Sequence, residues 1–346
     1  MRRITISNIA EALGMSRNTV SRALKNSGQV SEATKQIIIE KALEMGYAGS
    51  ITDKTESAPV KPKNIMIIMN RNNDHVAFWS QIINGISEYV QLHRHNVLFG
   101  IIDTNHPELP SSVSQGTIDG IIVVNLVPRY WINILCATGI PTVFIDLPAD
   151  ISYSELPADV IMSEGESSVY RLTEMLIADG HTSIGFLGSH VYCKTFLDRY
   201  KGYKQCMEEH HLPVDADLCV TLDFDMLNRD EIIEEYVRRF QKGRPTAVVC
   251  TNDNVAIHLM MALKRFSYRI PEDICVTGFD DLRECEIIDP HITSIHVDNT
   301  CLGARAAAQL FWRIENPGNP FEVIKISTRV VKRLSSDRPR VQEVVR

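Results

Sequence analysis

The chain has 346 residues, a net charge of −7, 44% hydrophobic and 23% charged residues, which is ordinary globular usage at a length suited to two or three domains. No run approaches the roughly 20 apolar residues of a membrane span, and the opening Met1-Arg2-Arg3 leads into an amphipathic segment without the apolar core or cleavage site of a secretory signal, so a cytoplasmic protein is expected. The eight cysteines are scattered with no C-x-x-C pair, a pattern of reduced, packed thiols and not of a disulfide framework or zinc site.

Three short helices are predicted first, over about 6–13, 17–25 and 32–45, with Thr5, Ser16 and Ser31 as caps and Gly46 as the final stop. Ala10, Gly14 and Val20 fall where the first two helices must touch and turn. Ala10 is small enough for close approach, Gly14 can take a positive φ, and Val20 fills the gap. Leu13, Val20, Leu24, Ile37, Ile38 and Leu43 are expected to supply a small core. The pattern predicts a helix-turn-helix whose second helix, opening Ser16-Arg17-Asn18-Thr19-Val20-Ser21-Arg22, reaches base edges of DNA. Charge is divided accordingly: residues 1–63 carry +4 and the remainder −11, a basic head on an acidic body. One head of +4 is a weak electrostatic anchor, and two heads on a dimer would double the phosphate contacts.

Residues 50–63, SITDKTESAPVKPK, read as a polar linker in which Pro59 and Pro62 preclude a long helix. From Asn64 onward strands and helices alternate. NIMIIMN, a helix over 80–93, NVLFGIID, DGIIVVN and GIPTVFID form one series. A helix over 167–178, TSIGFLG, a helix over 200–209, LCVTLDF, a helix over 229–240, TAVVCTN, a helix over 255–265 and ICVTGFD form another. Continuous apolar strands separated by helices predict parallel sheets covered on both faces. The expected fold is an all-α three-helix helix-turn-helix head followed by an α/β two-lobed body with two doubly wound parallel sheets. In such sheets ligands bind beyond the carboxyl ends of the strands, and those ends carry Asn70, Asn125, Asp146, Phe224, Asn252 and Asp280.

Head and body together resemble the LacI/GalR transcriptional regulators. The matching segments are TISNIAEALGMSRNTVSRAL, VSEATKQ and LEMGY, then DGIIV, GIPTVFID, ADGHTSIGFLG, DRYKGY, PTAVVCTNDNVA, and RIPEDICVTGFDD followed by PHITSI. They keep the family's order and cover 4–49 and roughly 64–334. The resemblance implies a DNA-binding domain over 1–49, a hinge over 50–63, a periplasmic-binding-protein-like body over 64–334, and a polar tail over 335–346. The first lobe would hold about 64–158 plus 296–320 and the second about 159–295 plus 321–334, with the third of three crossing strands near 295–298.

The resemblance also implies site residues. Base edges would be read by Arg17, Asn18 and Arg22, in keeping with bidentate Arg–guanine and Asn–adenine pairing. Thr5, Ser16, Thr19, Ser21, Ser31 and Thr34 would meet phosphates, although helix capping accounts equally well for Thr5 and Thr34. The hinge departs from the family's Ala- and Leu-rich helix. Glu56 lies close to the position of the leucine that wedges the minor groove, which implies less bending of the operator. Effector contacts carry over to Phe78, Asn125, Asp146, Arg199, Phe224, Asn252 and Asp280, with one of the neighbours Phe78 and Trp79 expected in the core. Met162-Ser163-Glu164 replaces the family's usual Asp-Asn.

This set of carboxylates, amides, guanidinium and aromatic rings suits a polyhydroxylated ligand, a sugar or sugar phosphate. Asp253 and Asp281 are expected to hold loops, and the pairs His93/His95 and His210/His211 to lie on solvated surface. The implied function is a ligand-responsive repressor acting as a homodimer on pseudo-palindromic double-stranded operator DNA, with no cofactor, metal or membrane partner. The alternative is a cytoplasmic solute-binding sensor with a purine or other non-sugar effector. No G-x-S-x-G, P-loop, dinucleotide fingerprint or metal-ligand spacing suggests an enzyme.

Overall fold

A computed structural model describes residues 4–24, 30–45, 47, 61–71, 76–103, 108–221, 229–241 and 243–337. The chain divides into two units, Met1–Lys61 and Pro62–Arg346. The head holds α1 (Ile6–Leu13), α2 (Arg17–Leu24) and α3 (Glu32–Glu44). Ile9, Ala10, Val20, Ala23, Leu24, Ile38 and Ala42 form its buried core. Two expected core residues are on the surface instead: Ile37 is 49% and Leu43 64% exposed. The buried stripe of α3 runs through Ile38 and Ala42 at i, i+4, and Ile37 and Leu43 each stand one residue, about 100° of rotation, off it. The linker over 50–60, including Glu56, lies outside the described residues.

In the body, β1 (Asn64–Asn70), α4 (Val76–Leu92), β2 (Asn96–Ile102), α5 (Ser111–Ser114), β3 (Gly120–Val124), α6 (Arg129–Ala137), β4 (Thr142–Ile145) and β5 (Asp159–Ser163) come first. The chain continues through α7 (Glu166–Ala178), β6 (Ile184–Gly188), α8 (Lys194–Glu209), β7 (Cys219–Thr221), α9 (Asp230–Arg238), β8 (Ala247–Cys250), α10 (Asp253–Arg265) and β9 (Cys275–Thr277). It ends with β10 (Ser294–His296), α11 (Asn299–Glu315), β11 (Val323–Ile326) and β12 (Arg329–Val331). Among the described residues one parallel sheet has the order β11-β5-β4-β3-β1-β2 and a second the order β7-β6-β8-β9, while β10 and β12 pair antiparallel. Side chains of β1 alternate between cores: Ile65 and Ile67 join one apolar cluster, Met66 and Ile68 another, as a strand covered on both faces requires.

Several boundaries differ from the sequence reading, among them the start of α4, at Val76 and not at 80. Segments 159–163 and 323–326 belong to the first sheet and not to the second lobe, because β5 pairs with β4 and β11 pairs with β5. The β5–β11 pairing joins residues about 160 apart, so no local pattern announces it. Helix α8 begins at Lys194, six residues before the expected 200. The tail does not start at 335: the buried Ser335 hydroxyl donates to the Val276 carbonyl (2.6 Å) and accepts from the Thr293 N–H (2.9 Å), fastening the chain to β9.

Two contacts return α11 to the first lobe. Arg313 makes a buried, two-pronged pair with Asp159 (Nε–Oδ2 and Nη2–Oδ1, both 2.8 Å) and also donates to the Asn319 and Pro320 carbonyls. Farther up the helix, α11 crosses α4 with backbone nearly on backbone: a Cβ on Gly303 would stand 2.0 Å from the Ile82 carbonyl oxygen. Gly303→Ala should therefore force the helices apart and destabilise the body by roughly 1–3 kcal/mol, the usual range for overpacking. Gly318, where an added Cβ meets nothing within 4 Å, is the control. Gly318→Ala should change the urea unfolding free energy by no more than about 0.5 kcal/mol.

Candidate functional site

The head presents one candidate surface. Helix α1 ends in Gly14 at φ 63°, ψ 25°, and the Met15 N–H closes back on the Ala10 carbonyl (2.9 Å). This left-handed stop, which costs glycine nothing, lets α2 start three residues later. Arg17, Asn18 and Arg22 are exposed on α2 while Val20, Ala23 and Leu24 are buried. Most of the hydroxyls expected at phosphates are engaged in helix caps. Ser16 Oγ accepts from the Thr19 N–H (3.0 Å) and pairs with the Thr19 hydroxyl (2.8 Å). Ser31 Oγ accepts from the Thr34 N–H (3.3 Å) and pairs with the Thr34 hydroxyl (2.8 Å). Asn8 Oδ1 accepts from both the N–H (2.9 Å) and the hydroxyl (2.7 Å) of Thr5. Ser21 is half-buried on α2.

The body holds a cavity of about 130 Å³ at the carboxyl ends of its strands. Phe78, Asn125, Asp146, Arg199, Asn252 and Asp280 all line it. Phe224, the seventh expected contact, lies outside the described residues. Phe78 and Trp79 both line the cavity and both pack against the adjoining apolar core, edge to face at 4.9 Å and 83°, so the pair is not divided between cavity and core as anticipated.

Three polar lining residues have left-handed backbone: Asn125 (φ 66°), Asp146 (φ 64°) and Asp280 (φ 109°). Asn and Asp tolerate such turns because their short side chains bond locally. Asn125 Oδ1 accepts from the Asn70 N–H (3.0 Å), joining the ends of β3 and β1. Asp146 Oδ1 accepts from the Leu147 N–H (2.7 Å). The backbone N–H of Asp280 donates to the Ile295 carbonyl (2.9 Å). Asn252 caps α10 by accepting from the Val255 N–H (2.9 Å).

Arg199 is almost wholly buried. It donates to the Thr251 carbonyl (2.6 Å), pairs with Asp280 (3.4 Å), and lies 3.5 Å over the Phe279 ring. Burial pushes the Asp280 carboxyl above the usual carboxylate range, with Arg199 pulling it back. Burial also raises Asp146, against hydrogen bonds from Thr195 and Leu147. Asp253 and Asp281 hold loops. Asp253 accepts from Ser294 Oγ (2.6 Å) and the Leu282 N–H (2.8 Å), while Asp281 binds Arg333 (2.6 Å) and His296 (2.9 Å).

One rim of the cavity is closed by bonds from the first lobe to the second. Asp146 accepts from the Thr195 hydroxyl (2.5 Å) and N–H (3.4 Å). The Lys194 N–H donates to the Leu147 carbonyl (2.8 Å), and the Lys194 ammonium to the Ala149 carbonyl (2.7 Å). Thr195 and Phe196, both cavity residues, did not emerge from the strand-end rule. They stand four and three residues before Arg199, one turn back on the same helix face, and that spacing is the signal that locates them. Met162 and Ser163 also line the cavity, whereas Glu164 turns away to accept from the Ser167 N–H (2.7 Å) and the Ser168 hydroxyl (2.8 Å). Among the described residues no group of three or more His, Cys, Asp or Glu side chains could hold a metal ion, and no helix is long and apolar enough to cross a membrane.

Residues 5–50 match the family model of bacterial regulatory proteins, lacI family, and residues 173–336 that of a periplasmic binding protein-like domain. The HTH-type transcriptional repressor PurR of Vibrio atlanticus is 27% identical over 338 residues, 95% of this chain and 97% of that protein. The ribose operon repressor of Haemophilus influenzae is 25% identical over 334 residues, 96% and 98% of the two chains. In fold the chain is similar to the transcriptional regulator CelR in complex with cellobiose (TM-score 0.68, 21% identity, 96% of this chain and 100% of that one). It is likewise similar to the lac repressor dimer bound to operator and the anti-inducer ONPF (TM-score 0.66, 20% identity, 97% and 99%). With the helix-turn-helix geometry of its head and the strand-end cavity of its body, the chain joins a head that matches the lacI family of bacterial regulatory proteins to a periplasmic binding protein-like body, and over nearly its whole length it is similar to LacI-type repressors.

Proposed function

We propose that this protein is a ligand-responsive, sequence-specific DNA-binding repressor that acts in the cytoplasm as a homodimer, by binding and not by catalysis. The observation that carries the reading is the left-handed stop at Gly14, which frees α2 to present Arg17, Asn18 and Arg22 on its exposed face. Arg17 and Arg22 suit guanine O6 and N7, and Asn18 suits adenine N6 and N7. Ser16, Thr19, Thr5, Ser31 and Thr34 act first as caps. Their helix starts, together with Ser21, supply phosphate contacts that set register and not sequence. A dimer places two such helices about 34–36 Å apart on a pseudo-palindromic operator. Its surface includes the sheet edge β2, where Phe99 and Ile101 are 57% and 64% exposed on one face, an apolar edge that a lone chain would leave open to pairing.

The cavity is the effector site, and a sugar-like ligand is its occupant: CelR, similar in fold, holds cellobiose, and a LacI family transcriptional regulator from Enterococcus faecium of similar fold (TM-score 0.66, 22% identity, 78% of this chain and 98% of that one) holds ribose. Phe224 joins the proposed contacts from the sequence resemblance alone. The rim bonds between Asp146–Ala149 and Lys194–Thr195 make closure and ligand contact depend on the same residues. A ligand that binds one lobe arrangement better than the other shifts the population and with it operator affinity.

Two experiments test this reading in the full-length protein. Arg17→Ala should cost roughly 1–3 kcal/mol at one base position and relax preference there, read by competition gel shifts against single-base operator variants. An equal loss on every sequence would make Arg17 a backbone anchor instead. Asn125→Gly keeps the left-handed turn but deletes the carboxamide. It should raise the sugar concentration needed for half-maximal change in operator binding by about tenfold, the worth of roughly 1.4 kcal/mol. An unchanged midpoint would remove Asn125 from the effector site.

A further inference from the structure

We propose that the cavity accepts an uncharged polyol and rejects its phosphorylated counterpart, an inference that rests on reading the cavity as the effector site. Anion sites in proteins are built from unmatched Arg or Lys side chains or from open helix N-termini. In the described lining the strongest candidates for such a site are engaged by the protein's own groups. Its one guanidinium, Arg199, faces the Asp280 carboxylate and the Thr251 carbonyl and lies over the Phe279 and Phe196 rings, while its Nε is buried away from any partner. The N-terminus of α8 is filled by the protein's own carboxylate, since Asp146 accepts from the Thr195 N–H and hydroxyl. The N-terminus of α10 is filled by the Asn252 carboxamide oxygen.

The Lys194 ammonium donates to the Ala149 carbonyl and lies over the Tyr153 ring, and Arg71, at the end of β1, makes an exposed pair with Asp103. In sequence, the segments that follow β1, β2 and β7 (72–75, 104–107 and 222–228) contain no lysine or arginine. The lining thus sets two carboxylates, Asp146 and Asp280, against one guanidinium. A phosphomonoester brings a further charge of about −1.5 to −2 and would lose its water with no unmatched cation in return. A neutral polyol meets what it needs: its hydroxyls donate to Asp146 and Asp280 and exchange bonds with the Asn70 and Asn125 carboxamides, while Phe78 and Trp79 cover its C–H face.

The test uses the full-length protein and a panel of pentoses, hexoses and disaccharides paired with their phosphorylated forms, such as ribose with ribose 5-phosphate and glucose with glucose 6-phosphate. Inorganic phosphate is included as a bare anion. Binding is read by thermal shift and tryptophan emission at constant ionic strength. At least one uncharged member should bind saturably, its phosphorylated partner at least tenfold more weakly, and inorganic phosphate not at all. A phosphorylated sugar that binds as tightly as its parent, a saturable response to inorganic phosphate, or a panel in which no uncharged polyol binds would each overturn the proposal.

Asp280→Asn removes the charge that faces Arg199. In a variant whose circular dichroism matches the parent, it should narrow the uncharged-to-phosphorylated affinity ratio at least fivefold, and an unmoved ratio counts against the mechanism. Gel shifts on promoter DNA with the same samples keep the two ideas apart. Lost anion discrimination with intact operator preference sinks only this inference, and absent operator preference sinks the regulator reading.

Discussion

Parallel strands that end together at one edge of a sheet must turn away sharply, and the cavity depends on how this chain turns. At Asn125, Asp146 and Asp280 the backbone enters the left-handed region, a conformation that costs an ordinary residue roughly 1–2 kcal/mol. Glycine would make the turn without strain but would leave no side chain behind. Asn and Asp make it with a carboxamide or carboxylate that bonds its surroundings, as Asn125 does to the Asn70 N–H and Asp146 to the Leu147 N–H. One choice of residue therefore solves a backbone problem and furnishes a polar wall at the same edge. Strained non-glycine residues gather at functional sites for this reason: the packed β3, β4 and β9 around them hold the turn in place.

The same residues govern closure. Asp146 belongs to the first lobe by its strand and to the second by its bonds to Thr195. Arg199 reaches across its own lobe to Thr251 and Asp280. Leu147, Ala149, Lys194 and Thr195 flank one short antiparallel contact at Pro148 and Cys193, so the bonds that join the lobes at this rim are gathered on two adjacent segments.

How much of this could be read from the sequence depended on how local each cause is. Gly14, with Ala10 and Val20 around it, dictates a turn over a dozen residues, so the head was legible at the level of single helices. The apolar runs of β1, β3, β4, β6 and β8 announced a covered parallel sheet, and the strand-end rule gathered Asn125, Asp146, Asn252 and Asp280 without knowledge of their neighbours. What escaped was set at long range. The membership of β11 in the first sheet is decided by its pairing with β5, and the burial of Ser335 by Val276 and Thr293. The exposure of Ile37 and Leu43 follows from Ala42, a small residue that lets α3 pack on its neighbours through one narrow stripe. Hydrophobicity alone reads the larger side chains as the core.

The division of charge along the chain bears on how many copies DNA binding would need. With +4 on residues 1–63 and −11 on the remainder, a single chain gains attraction to phosphates through its head only, and that attraction is screened within about 10 Å at 0.1 M salt. The exposed hydroxyls add little net charge-independent affinity, because Ser16, Ser31 and Thr5 already spend hydrogen bonds on their own helices. Arg17, Asn18 and Arg22, exposed on α2, are three side chains, and three side chains can distinguish only a few base pairs. Two copies double both the neutralised phosphates and the bases read, and log affinity for DNA scales with the number of phosphates engaged.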